Sequence, residues 1–146
     1  MRKTLFQQKS CSPEETFLLG ETLGKEARGG DVYLLSGIPG AGKTVFTKGF
    51  AKGMGVRALV TSPTYALMNA YNGEKWKLYH FDMYRIADAE EAEETGIFEL
   101  FSEEDAVIVI EWADHILDRV PARRKELNLA VNEDLTRTVT LEEVDE

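Results

Sequence analysis

Asp31-Val32-Tyr33-Leu34-Leu35-Ser36-Gly37-Ile38-Pro39-Gly40-Ala41-Gly42-Lys43-Thr44-Val45-Phe46 carries the strongest structural signal in the chain. Its first six residues are a short apolar run of the kind that forms a buried parallel strand. The next eight, Gly37 to Thr44, match the phosphate-loop pattern G-x-x-x-x-G-K-[ST] without a gap. Glycines let the backbone turn tightly with its N–H groups facing inward, a concavity that holds phosphate oxygens. Lys43 is a point charge for the β- and γ-phosphates. Thr44 offers a hydroxyl to Mg²⁺ at the start of a helix whose dipole also favours anions. Val45, Phe46, Phe50 and Met54 then recur at helical spacing, with Gly53 and Gly55 as a stop signal. Strand, loop and helix stand in the order that a nucleoside triphosphate site requires.

Upstream of that stretch, Ser12-Pro13-Glu14-Glu15 has the form of a capping box with proline at the first helical position. It predicts a helix to about Arg28, with Leu19, Leu23 and Ala27 inward and Gly29-Gly30 ending it. Downstream, Arg57 to Val60 reads as a short strand that leads into Thr61-Ser62-Pro63-Thr64. Asn72-Gly73 is a hairpin signal joining 66–71 to 75–82. Acidic helix formers run from Asp88 to Thr95 and stop at Gly96, and Ala106 to Ile110 is a central strand. Two further strands, Lys125 to Val131 and Leu135 to Val144, flank a turn at 132–134. The expected fold is α/β, a mixed sheet with helices on its faces, in one domain over residues 1–146.

A phosphate loop binds nucleotide, whereas hydrolysis also needs an acid near the metal and a group that orients water. Glu111 follows the apolar strand 106–110, and the carboxyl ends of strands border the ligand crevice in such sheets. It reads as the metal-side acid, against the alternative of a solvated strand-end carboxylate. Trp76, Leu78, His80, Asp82 and Tyr84 share one strand face by the two-residue period. Polar groups on a half-buried face need partners, so these residues are either part of a site or a polar cluster bracing the sheet. His80 on its own reads as structural. Thr61 and Thr64 flank Pro63 where a γ-phosphate-sensing hydroxyl is commonly found. Trp112 suits base stacking, partner contact or core filling, and spacing does not separate these.

The chain carries 26 acidic against 17 basic residues, net charge −9. That balance argues against an independent grip on nucleic acid, which needs a basic patch. The densest basic cluster, Arg123-Arg124-Lys125, reads as an exposed strand edge. Cys11 is the single cysteine, which excludes a disulfide framework and a cysteine metal site. The apolar stretch after Met1 ends at Gln7, and no window is long enough to span a membrane, so a soluble cytoplasmic protein is expected.

Together, Gly37–Thr44, Thr61-Ser62-Pro63-Thr64-Tyr65, His80-Phe81-Asp82-Met83-Tyr84-Arg85 and Glu111-Trp112 resemble the bacterial TsaE ATPases in order and spacing, over about residues 12 to 142. The resemblance implies a P-loop ATPase using ATP and Mg²⁺ in the threonylcarbamoyladenosine modification of tRNA. Its implied partners are the carbamoyl-transferase subunit and that subunit's inactive paralogue, with no direct hold on tRNA. It carries over Gly37, Gly40, Ala41, Gly42, Lys43, Thr44 and Val45 as the nucleotide cradle, and Thr44 and Glu111 as metal ligands. Lys43, Asp82 and Glu111 become the catalytic set, with Asp82 orienting water or coupling hydrolysis to movement. Ser12, Thr16 and Arg137 match the adenine site. The chain departs from the family pattern at Ile38-Pro39 and Ala113-Asp114, and Pro39 removes one backbone donor from the cradle. The alternatives are a small metabolite kinase, for which no lid insertion is present, and a nucleotide-binding scaffold without turnover. A GTPase would carry N-K-x-D, and Asn132-Glu133-Asp134 lacks the lysine.

Overall fold

Apolar patterning puts two short strands at the centre of the molecule, β2 (Val32–Ser36) and β5 (Ala106–Glu111), paired in parallel with Val32 opposite Ile108 and Leu35 opposite Glu111. Every residue of β5 is buried, as a strand covered on both faces requires. The computed structural model describes residues 1–63 and 67–145. In chain order the remaining elements are β1 (Arg2–Ser10), α1 (Pro13–Glu26), α2 (Lys43–Gly53), β3 (Met68–Asn72), β4 (Lys77–Asp82), α3 (Ala89–Glu94), α4 (Ile97–Leu100), a 3-10 helix (Ala113–Arg119), β6 (Arg123–Val131) and β7 (Arg137–Asp145). The strands form one mixed sheet of order β1-β7-β6-β2-β5-β4-β3. One face carries the core of Tyr33, Leu35, Phe46, Phe50, Val107, Val109 and Leu127, where α2 packs. The other carries Leu34, Ile108 and Ile110 with Ile97 of α4 and Ile116 of the 3-10 helix. This is the expected α/β fold.

Helices α1 and α2 lie unusually close because each offers glycine to the other. A Cβ on Gly20 would stand 2.3 Å from the carbonyl oxygen of Phe46, and one on Gly49 would stand 2.0 Å from that of Phe17. Backbone therefore meets backbone, and α1 is held where its first turn touches the phosphate loop. Ser12 caps the helix as expected, its Oγ accepting from the Glu15 N–H at 3.1 Å. The Glu15 carboxylate reaches one residue past the cap and accepts from the Cys11 N–H, so the box is not closed on Ser12 itself. The helix closes at Glu26, before the glycines expected to end it, because Arg28 and Asp31 form a turn of their own (Arg28 N to Asp31 Oδ2, 2.9 Å). Asp88 caps α3 through the Glu91 N–H.

Several expectations change. Residues 57–60 form no strand. The Thr61 N–H reaches the hydroxyl of Tyr71 (3.3 Å) and its carbonyl the side chain of Asn69 (3.2 Å), side-chain bonds in place of a ladder. The turn after β3 is a four-residue loop, since Asn72 pairs with Lys77. Gly73 has no positive φ there. It is needed for close approach, since a Cβ would lie 2.6 Å from the Trp76 carbonyl and 2.8 Å from that of Met54. Arg123-Arg124-Lys125 is no sheet edge, because β6 runs between β2 and β7. Arg124 instead donates to Glu126, which also binds Arg2 of β1 at 2.8 Å. Partial burial would raise the Glu126 pKa, but hydrogen bonds and charge from Arg2 and Arg124 outweigh it and hold the carboxyl below its ordinary range. The true edges are β3 and β1, and β1 was not foreseen. Ala66, the first residue of the expected hairpin, lies outside the described residues. Among the described residues no helix is long and apolar enough to cross a membrane.

Candidate functional site

The phosphate loop leaves the carboxyl end of β2 and turns on three positive-φ glycines, Gly37 (149°), Gly40 (85°) and Gly42 (111°). Only glycine takes these angles without strain. At Gly37 a Cβ would also stand 2.8 Å from the carbonyl oxygen of Leu129 on β6, so that position needs glycine twice over. Gly42 is the N-cap of α2 and supplies no capping side chain. Among the described residues no backbone acceptor takes the N–H groups of Gly42, Lys43, Thr44 or Val45, whereas the Phe46 N–H already bonds to Gly42. These are the orphan donors of a helix start, gathered where the dipole is positive, and they suit an anion.

Lys43 is buried at 8% exposure and folds back over the loop it belongs to. Its Nζ donates to the Gly37 carbonyl at 2.6 Å, stands 4.4 Å from the centre of the Trp112 ring and lies 4.0 Å from Glu111 Oε1. Thr44, the next residue, is half-buried at the helix start. The lysine cation thus already has a carboxylate facing it across the loop.

Glu111 is the last residue of β5 and is 6% exposed, so it is no solvated strand end. Its partner in register on β4 is Asp82, also buried, and both carboxylates come from neighbouring parallel strands beside the loop. Glu111 Oε2 lies 2.6 Å from Nε2 of His80. Asp82 accepts from the Tyr84 N–H at 2.9 Å. The expected shared face is real for Leu78, His80 and Asp82, which are all buried. It ends there, because β4 stops at Asp82 and Tyr84 turns out to 65% exposure. Tyr84 meets the edge of Trp112 with ring centres 5.0 Å apart. Trp112 has a left-handed backbone (φ 58°), uncommon for a large side chain, and it redirects the chain from β5 into the 3-10 helix. Its ring is thereby placed between Lys43 and Tyr84.

A cleft opens on the α1 side of the loop, lined by Ser12, Thr16, Gly40, Val45, Leu135 and Arg137 among others. All three residues matched to the adenine site therefore lie together. The hydroxyl oxygen of Ser12 is engaged in the helix cap, and that of Thr16 bonds to Ser10 at 2.7 Å. Arg137 braces the loop, donating to the carbonyls of Ala41 (3.0 Å), Gly40 (3.1 Å) and Leu135. A second cleft borders Gly37, Lys43 and Trp112 on the opposite side. The larger depressions around Gly29 and Trp76 contain no loop residue.

Three features escaped the sequence reading. Leu135, with a left-handed backbone (φ 68°), lines the α1-side cleft. The buried Ser10–Thr16 pair joins β1 to α1, and His80 holds Glu111. Only the polar residues on a buried strand face gave any warning of the last. Thr64, expected near the γ-phosphate, and Tyr65, the last residue of that family segment, lie outside the described residues.

The chain is similar to proteins of one family. Residues 10–139 match the family model described as threonylcarbamoyl adenosine biosynthesis protein TsaE. The chain is 39% identical over 132 residues to the Bacillus subtilis tRNA threonylcarbamoyladenosine biosynthesis protein TsaE, covering 90% of this chain and 82% of that one. With the protein of the same name from Treponema pallidum it shares 36% identity over 132 residues, 90% of this chain and 96% of the other. Among solved structures, the crystal structure of YdiB from Bacillus subtilis superposes with a TM-score of 0.80 at 32% identity, covering 99% of this chain and 88% of that chain.

Proposed function

The chain belongs to the TsaE family of threonylcarbamoyl adenosine biosynthesis proteins, and on that premise we propose that it binds and hydrolyses ATP with Mg²⁺. In this reading it acts on the carbamoyl-transferase subunit and its inactive paralogue and leaves tRNA to them. The observation that carries the nucleotide reading is the convergence at the carboxyl ends of β2 and β5. The orphan N–H groups of the loop, the Lys43 cation and the buried Glu111 carboxylate all meet there.

The residues present fit the group. Gly42, Lys43 and Thr44 would give backbone donors to the phosphates, and the Thr44 hydroxyl with the Glu111 carboxylate would hold Mg²⁺. One or two protein oxygens suffice for this ion, which keeps its waters and shares phosphate oxygens. When bound, it neutralises charge developing on the transferred phosphoryl group. Lys43 would exchange the Gly37 carbonyl for phosphate oxygens, a short movement because loop and lysine are already in contact. Asp82 is the second acid and the candidate for orienting water. Leu135, Val45 and the Arg137 guanidinium offer flat or apolar surface for a base. The half-exposed pair Tyr84–Trp112 beside Lys43 offers a partner a direct route to the phosphate end.

Calorimetric titration of ATP and GTP, each with and without Mg²⁺, tests the nucleotide reading. Saturable ATP binding that Mg²⁺ tightens is expected, with GTP weaker. Absence of ATP binding would remove the reading, and equal GTP affinity would remove adenine from the cleft.

A further inference from the structure

Resting on the ATPase reading above, we propose that His80 is a positioning residue whose task is to aim the Glu111 carboxylate. The imidazole is 1% exposed, and its Nε2 lies 2.6 Å from Glu111 Oε2 across two neighbouring parallel strands. Its Nδ1 is buried with no hydrogen-bond partner among the described residues. A histidine kept only to brace a sheet would be expected to satisfy both nitrogens, since an unpaired buried polar atom carries a desolvation penalty. This one leaves a nitrogen unpaired and keeps a single short bond, directed at a residue of the candidate site. That bond is made by Nε2–H donating to the carboxylate oxygen.

The consequence lies on the other carboxylate oxygen. With Oε2 fixed by His80, Oε1 faces Lys43 Nζ at 4.0 Å, too far for a direct hydrogen bond. Glu111 thus keeps one oxygen open towards the loop instead of closing on the lysine. Released from His80, the carboxylate is free to rotate and pair directly with Lys43, taking the open oxygen away from the metal position and the cation away from phosphate. Partners that orient a metal-side ligand in this way typically matter tenfold to a hundredfold when removed.

The test compares His80→Leu with His80→Gln, whose amide N–H reaches the position of Nε2. The readouts are ATP affinity in EDTA, ATP affinity with Mg²⁺, turnover and melting temperature. His80→Leu should lose most of the Mg²⁺-dependent tightening and about tenfold to a hundredfold in turnover. His80→Gln should recover the larger part of both. Affinity in EDTA should change much less than the Mg²⁺-dependent part. If His80→Leu fails to fold, His80→Asn takes its place, since its shorter amide does not reach Glu111. A folded His80→Leu protein with wild-type Mg²⁺ dependence and turnover overturns this inference alone. So does a His80→Gln protein no better than His80→Leu, with both losing activity in step with melting temperature. A wild-type chain that binds no ATP overturns the ATPase reading, and this inference with it.

Discussion

Replacing Lys43 by methionine keeps the buried stem and removes only the ammonium group. In the free protein the variant loses the 2.6 Å bond to the Gly37 carbonyl and the cation 4.0 Å from Glu111. A hydrogen bond from a charged donor contributes about 1.5–3 kcal/mol, and the phosphate contact that Lys43 would make belongs to this class. Wild-type protein gives up its Gly37 bond, also made by the charged ammonium, to make that contact, an offset of about 1.5–3 kcal/mol. The variant instead meets phosphate with a Glu111 carboxylate that no cation faces, which works against binding by a similar amount. The two corrections nearly cancel, so ATP affinity should fall roughly tenfold to a hundredfold. Calorimetry measures this directly. Thermal unfolding is the control, because loss of a bond of about 1.5–3 kcal/mol should lower the melting temperature by about 3–12 °C and leave the protein folded. A folded variant with wild-type ATP affinity would refute the assignment of this loop as the phosphate site.

The two acids should separate: Glu111→Gln should weaken Mg²⁺-dependent ATP binding and turnover together, whereas Asp82→Asn should keep binding and lose turnover. Titration and phosphate release on both variants check this, and the reverse pattern would exchange their roles. Gly49→Ala puts a methyl 2.0 Å from the Phe17 carbonyl and should cost about 1–3 kcal/mol or more by forcing α1 from α2. Urea unfolding reads it, and a loss under about 0.5 kcal/mol would show that the helices slide freely. Arg137→Ala removes the brace on Gly40 and Ala41 along with one wall of the α1-side cleft. It should weaken ADP as well as ATP, and an unchanged ADP affinity would take the base out of that cleft.

The central strand, the phosphate loop, the cap of α1 and the C-terminal hairpin were legible because each is written in contiguous residues with its own period or turn chemistry. What was not legible depends on partners distant in sequence. The strand β1 carries Gln7, Gln8 and Lys9 with little alternation, and it forms only because β7, some 135 positions away, pairs with it. The glycines at 20, 24, 49 and 53 look like helix weakeners in isolation and become a packing surface only when two helices meet. Residues 57–60 end on two apolar side chains, Leu59 and Val60, but have no ladder to join. At the site, Glu111 was legible as an acid after an apolar run. Its contact with His80 follows from the register of β4 on β5, which a single sequence does not reveal. Arg137 matched a family position, yet its hold on the loop carbonyls needed the fold to bring β7 against residues 40 and 41.

Phosphate release from ATP by the isolated chain, measured before and after addition of the carbamoyl-transferase subunit with its inactive paralogue, tests whether this chain is an ATPase that acts on these partners. Slow release by the chain alone, faster release with the pair, and loss of both in Lys43→Met are expected. Arg85→Ala should lose stimulation more than ATP affinity. ATP turnover that the pair neither binds to nor alters would contradict the proposed action on these partners. No turnover under any condition would leave a nucleotide-binding scaffold in place of an ATPase.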